Sequence, residues 1–182
     1  MVQSRLRPSL FWATWLALTV ISISIFASGC IRESDSGTWM SGRTVRLNVS
    51  NVQKVDSVRY SIDDTHYVIE PTNPNNDLIV AMVLLWNDRA SFLSIFIDEK
   101  AAALEDLHYN GFPAVNPYKQ RRVVESESTD ENSYLPFIWG KVEMPQSYEL
   151  DGWMIFEVPK QTKVARLLWQ QPETIRVPVR ID

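Results

Sequence analysis

The sequence predicts an all-β chain built around an antiparallel β-sandwich. Three observations predict it. Short stretches repeatedly alternate apolar and polar side chains with a period of two, the pattern of half-buried strands. Turn residues punctuate these stretches at short intervals. Helix-forming runs are nearly missing: "DEKAAALEDL" is the one place where propensity favours a helix, and even this reads as a turn followed by a strand.

The elements follow in order. "TVRLNVS" sets Val45, Leu47 and Val49 against Arg46, Asn48 and Ser50, and "VRYSI" repeats the pattern with Val58, Tyr60 and Ile62. Asp63-Asp64 signals a turn, and "HYVIE" continues as a strand. "PTNPNND" is a loop by composition. "LIVAMVLLW", Leu78 to Trp86, is continuously apolar, and its length and flanking turns fit a central strand. "NDRAS" turns and "FLSIFI" is a further strand. Asn110-Gly111 marks a hairpin. Gln120 to Ser133 is mostly polar and charged, and reads as a solvated excursion. "FIWGKVEM", "GWMIFEVP" and "VARLLWQ" are strands. In "TIRVPVRI" the residues Ile175, Val177, Val179 and Ile181 share one face, and Pro178 makes this an edge strand or a bulged one, because proline donates nothing to a ladder.

The N-terminus carries a different signal. "MVQSRLRPSL" holds Arg5 and Arg7 and no acid, an apolar run extends from Leu10 to Phe26, and Ala27-Ser28-Gly29-Cys30 follows. A positive segment, an apolar segment and small residues before a cut make a secretory signal. The tetrad resembles the lipobox of bacterial lipoproteins, whose Cys receives diacylglycerol and becomes the new N-terminus. That box usually opens with Leu, and Ala27 departs from it. The expected organisation is a signal peptide over residues 1–29, a polar tether over 30–43 and the β-sandwich over 44–182. The alternative is an uncleaved transmembrane anchor, since the apolar run is barely short of a full span. Both place the remainder outside the cytoplasm, because positive charge stays inside.

Around "YELDGWMIFEVPKQTKVARLLWQ" the chain resembles the immunoglobulin-like sandwich domains of bacterial lipoproteins and secreted proteins, typified by the mycobacterial immunoprotective extracellular antigen. The matching residues there are Gly152, Phe156, Glu157, Val158, Pro159, Leu167 and Trp169; earlier ones are Asn87, Leu104, Asp106 and Gly111. The resemblance covers roughly Val45 to Ile181. It implies an immunoglobulin-like fold in an exported protein, so the expected fold is that sandwich behind the signal or anchor helix and short tether read from the N-terminal residues. It implies no catalytic residue.

Composition narrows the function. The chain of 182 residues is 45% hydrophobic and 22% charged, which is globular. Leaving aside Arg5 and Arg7 takes the 18 basic side chains to 16 against 22 acidic ones, so a nucleic-acid partner is not expected. One Cys allows no internal disulfide. His66 and His108 are the only histidines, and without core cysteines they cannot form the usual zinc sets. Asp63 and Asp64 beside His66 read as an ordinary turn. No Gly-x-Ser-x-Gly elbow and no phosphate-cradling glycine loop occur. Glu125, Glu127, Asp130 and Glu131 lack the alternation of a calcium loop. No catalytic residue, metal or cofactor is therefore expected.

The expectation is a non-catalytic binding or scaffold module at the cell envelope, held to the membrane by lipid on Cys30. Its partner would be an envelope or extracellular protein or a glycan. The alternatives are an extracytoplasmic hydrolase and a purely structural envelope protein. Parity suggests the binding surface. With Phe156 and Val158 facing the core, Trp153, Ile155 and Glu157 face outward, and Trp139 lies in a neighbouring strand. Exposed aromatics rimmed by polar groups suggest an interface; the equal alternative is that the excursion Gln120–Ser133, or its flanks, covers them.

Overall fold

The computed structural model describes residues 37–125 and 128–181, and among these it has thirteen strands and no helix. The strands are β1 (Thr38–Ser41), β2 (Val45–Val55), β3 (Val58–Ile62), β4 (Thr65–Ile69), β5 (Asn76–Asn87), β6 (Phe92–Ile97) and β7 (Ala102–Asp106). They continue with β8 (Gly111–Pro113), β9 (Arg122–Val124), β10 (Gly140–Pro145), β11 (Glu149–Pro159), β12 (Val164–Trp169) and β13 (Ile175–Pro178). Every named strand pair is antiparallel, as expected. The proposed signal segment and Cys30 lie outside the described residues.

The apolar run Leu78–Trp86 sits in β5, the second of two inner strands of a sheet ordered β1-β2-β5-β11. One face of this sheet meets β6, β10 and a second four-stranded sheet ordered β13-β12-β7-β8. Val45, Leu47, Ile79, Ala81, Val83, Leu85, Met154, Phe156 and Val158 pack there against Ile95, Ile97, Leu104, Met144, Leu167, Trp169 and Val177. That is the sandwich core. The opposite face is also covered. Leu78, Val80, Trp153 and Ile155 pack against Val58, Tyr60, Ile69, Val115 and Phe137, from the small sheet β3-β4-β9 and from the segments flanking β9. Strands buried on both faces should read as continuous apolar runs, which is how β5 and the "WMIF" of β11 read.

This second layer overturns the outward assignment of Trp153 and Ile155. Trp153 is 8% exposed and Ile155 1%. Their parity relative to Phe156 is as expected, but the face they occupy is a second core. Trp139 is half-buried and packs on the first core. The three residues do not form one surface.

Two other expectations change. Residues 38–41, assigned to the tether, pair with β2 as the edge strand β1. The excursion Gln120–Ser133 contains β9, which pairs with β4, and it belongs to the covering layer. Arg121 lies 3.9 Å from the Tyr67 ring centroid and donates a hydrogen bond to the Tyr60 hydroxyl, which itself donates to the Pro117 carbonyl. An arginine over an aromatic face contributes cation–π attraction.

The turns behave as their chemistry requires. Asp63 and Asp64 both take positive φ, 48° and 60°, the left-handed pair of a type I′ hairpin between β3 and β4. β7 and β8 form the expected hairpin, and β13 is an edge strand, where Pro178 leaves no ladder donor missing. Gly152 has a steric role. A Cβ there would stand 2.6 Å from the Pro136 carbonyl oxygen and 2.8 Å from Ile138 Cγ2. Its absence lets residues 136–138 lie against β11, where Trp153 N–H donates to Pro136 O and Ile138 N–H to Trp153 O.

Glu157 is a structural carboxylate. It accepts hydrogen bonds from the Thr72 hydroxyl, the Asn73 backbone N–H, Asn76 Nδ2 and Gln120 Nε2 at 2.8–3.1 Å. Burial pushes its pKa up, but bonds from Asn76, Thr72 and Gln120 outweigh this and hold it at about 2. A folded pKa below the ordinary 4.5 stabilises the fold above pH 4.5, and that stability is lost as pH falls toward 2. Glu157→Gln is therefore expected to destabilise the protein at neutral pH and to flatten the stability profile across that acid window. Urea unfolding at a series of pH values checks this; a variant with the parent's full acid slope would contradict it.

Candidate functional site

A polar recess is built where the β2–β3 turn meets the segment 128–134. Both are loops, and loops on a rigid sheet are where side chains are free to face a ligand. The cavity holds about 550 Å³ and is lined by Lys54, Val55, Asp56, Ser57, Arg59, Ser128, Asp130, Ser133 and Tyr134. That is large enough for a small molecule.

Its walls are tied in place. Asn132 N–H donates to the Arg59 carbonyl at 3.0 Å, and Ser61 N–H donates to Asn132 Oδ1 at 2.9 Å. These bonds fasten the segment 128–134 to β3. His66 Nδ1 on β4 lies 2.5 Å from Glu131 Oε1, and Ser128 N–H donates to Glu131 Oε2. The His66 bond holds the Glu131 carboxyl below its usual range, with burial opposing and the Ser128 N–H, His66 and Arg59 adding to the effect. Tyr134 closes the recess from the inside. Its ring meets Trp153 edge-on at 5.0 Å between centroids. Burial, with the nearby Asp130 charge, pushes the Tyr134 hydroxyl pKa up, so it stays a neutral donor and acceptor.

The chemistry of the lining is mixed. Lys54 Nζ is paired with Asp77 at 2.6 Å, while Asp56 and Asp130 bring carboxylates and Arg59 a guanidinium. Ser57, Ser128, Ser133 and Tyr134 add hydroxyls that can donate or accept. Donors and acceptors interleave, and neither sign of charge dominates. No cluster of three or more His, Cys, Asp or Glu side chains suited to a metal occurs among the described residues.

The sequence-predicted site residues lie elsewhere. Trp153 supports the recess from behind without lining it, Ile155 is buried, and Trp139 belongs to the other core. His66 serves the wall through Glu131. His108 lies in the β7–β8 loop, where its backbone N–H donates to Asp106. The residues missed by sequence reasoning are Arg59, Ser57, Asp56, Ser133 and Tyr134. For Ser133 and Tyr134 the signal was the density of hydroxyl and charged side chains in "ESESTDENSY"; Asp56, Ser57 and Arg59 carried none.

The described residues thus define an all-β domain of antiparallel sheets with a polar recess between the β2–β3 turn and residues 128–134. No protein-family model and no curated protein matches the sequence. Two solved structures are similar to it. One is ycdA from Bacillus subtilis, provisionally assigned as a lipoprotein: identity is 12%, the TM-score 0.48, and the match covers 79% of this chain and 38% of that one. The other is MPT63, a secreted protein from Mycobacterium tuberculosis: identity is 12%, the TM-score 0.46, and the match covers 78% of this chain and 90% of that one. The chain therefore spans well under half the length of ycdA.

Proposed function

We propose that this protein is an exported lipoprotein whose immunoglobulin-like domain is a non-catalytic binding module for a neutral, hydroxyl-rich ligand, a glycan segment. The observation that carries the binding reading is the recess between the β2–β3 turn and residues 128–134. A sugar hydroxyl both donates and accepts, so it matches a lining that interleaves Ser57, Ser128, Ser133 and Tyr134 with Arg59, Asp56 and Asp130. A phosphate or other anion would meet the two carboxylates. Export rests on the N-terminal charge, apolar run and Ala27-Ser28-Gly29-Cys30 tetrad, which supply a signal and an attachment point for lipid. Lipid on Cys30 would hold the domain at the membrane, within reach of envelope glycans.

Two measurements test this. Intact-mass analysis of the native protein is expected to find a species starting at Cys30 with added lipid mass. A species that keeps residues 1–29, or has no lipid, would overturn the anchoring. Titration of the full chain with neutral oligosaccharides containing N-acetylhexosamine is expected to give saturable binding that Arg59→Ala and Asp130→Ala each weaken roughly tenfold. Binding unchanged by both variants, or no binding to any neutral oligosaccharide, would overturn the assignment of the recess.

A further inference from the structure

Edge strands expose unpaired N–H and C=O groups, and proteins usually protect them with charge, proline or short length. Most edges here follow that rule. β1 has four residues, β8 ends at Pro113, β9 contains Arg122, β13 contains Arg176 and Pro178, and β10 contains Lys141, Glu143 and Pro145. β6 does not. "FLSIFI" holds no charge, proline or glycine. It pairs only with β10, so its other edge meets no strand among the described residues. On its outward face Phe92 is 55% exposed and Phe96 57%, with exposed Ser94 between them. Ile95 and Ile97 anchor the inner face in the core.

The strand is complementary to itself. Antiparallel pairing of two β6 strands about a two-fold axis through Ser94 sets Phe92 of each copy opposite Phe96 of the other. Opposed residues in an antiparallel pair share a face, so the four phenylalanines gather on one side. Leu93 then opposes Ile95 on the other side. Nothing in the strand carries a charge, so no like charges meet across the axis. An isologous contact of this kind closes after two copies.

We propose that the occupant of this edge is a second copy of the chain, and that β6 joins two domains into a continuous ribbon β10-β6-β6-β10. The contact is on other strands than the polar recess and does not depend on its reading.

The test uses the full chain in its native membrane. Cross-strand Cα atoms at the axis would be about 4.5–5.5 Å apart, within the span that a disulfide bridges. Ser94→Cys is expected to give a covalent dimer on mild oxidation, well above the unsubstituted chain, whose only Cys is Cys30. Glu143→Cys, opposite Ser94 on β10, is expected to give none. In detergent solution, Ser94→Lys sets two ammonium groups against each other at the axis and is expected to reduce the particle mass roughly twofold while the far-ultraviolet circular dichroism stays that of the parent. A Ser94→Cys chain that crosslinks no more than the parent, that crosslinks to a different protein, or that is outdone by Glu143→Cys would overturn the proposal. So would a parent chain that is already monomeric in detergent.

Discussion

Trp153→Ala is expected to cost about 3–5 kcal/mol of stability, because it empties an indole-sized volume in the second core. The side chain is flanked by Tyr134, whose ring stands edge-on to it, and belongs to the cluster with Val58, Tyr60, Leu78, Val80, Val115, Phe137 and Ile155. Its backbone also bonds to residues 136 and 138, which hold the covering segment against β11. Loss of the ring therefore loosens Tyr134 and the recess wall together. The denaturation midpoint should fall well below the parent's, and neutral-oligosaccharide binding should weaken with it. Trp153→Phe keeps an aromatic partner for Tyr134 and should retain most of both. A Trp153→Ala protein with the parent's midpoint would show that the covering layer is not packed as described, and would restore Trp153 as a surface residue.

Phe156→Ala is expected to cost a similar amount, about 3–5 kcal/mol, on the opposite face of the same strand. Phe156 has no exposed surface and lies opposite Ile79 in the β11–β5 ladder, among Met154, Val158 and the side chains of the second sheet. Here the loss is confined to the sandwich core, so binding at the recess should survive in whatever fraction remains folded. The two variants thus separate the cores. Equal destabilisation with unequal effects on ligand affinity per folded molecule is the expected result. A midpoint shift for Phe156→Ala of a few tenths of a kcal/mol would contradict the burial. The pair is separated by β11 itself, so the double variant should be close to additive unless strand displacement couples the faces.

Much of the β-structure was legible because side-chain alternation and turn chemistry are local. β3, β13 and the apolar positions Val45, Leu47 and Val49 of β2 follow their period-two patterns, and Asp63-Asp64 supplies the left-handed turn between β3 and β4. Pro178 correctly marked an edge. Edge strand β1 was not legible. "TWMS" is exposed at every position, so it carries no burial pattern, and its only reason to be a strand is the free edge of β2.

The recess was illegible for a related reason. Its lining comes from Lys54–Arg59 and from Ser128–Tyr134, two stretches separated by some seventy residues and brought together by the Asn132–Arg59, Ser61–Asn132 and His66–Glu131 contacts. Serines and acids in a loop look the same whether they face water or one another.

By itself the sequence determined the fold class, the order of most strands, the inward face of Phe156 and the parity that sets Trp153 against it. What only the tertiary structure decided was the meaning of that second face. Alternation within a strand says which side chains point together, but whether that side meets solvent depends on what distant segments cover it. Here β3-β4-β9 and residues 115 and 137 cover it, turning an expected aromatic surface into a core and moving the candidate site to the rim of the cover. The unbroken apolar runs of β5 and β11 already required such a cover, since a strand with one wet face has no use for Val80, Trp153 and Ile155 on it. The sequence offered Gln120–Ser133 and its flanks as one of two equal readings of that face, and only contacts remote in the chain chose between them.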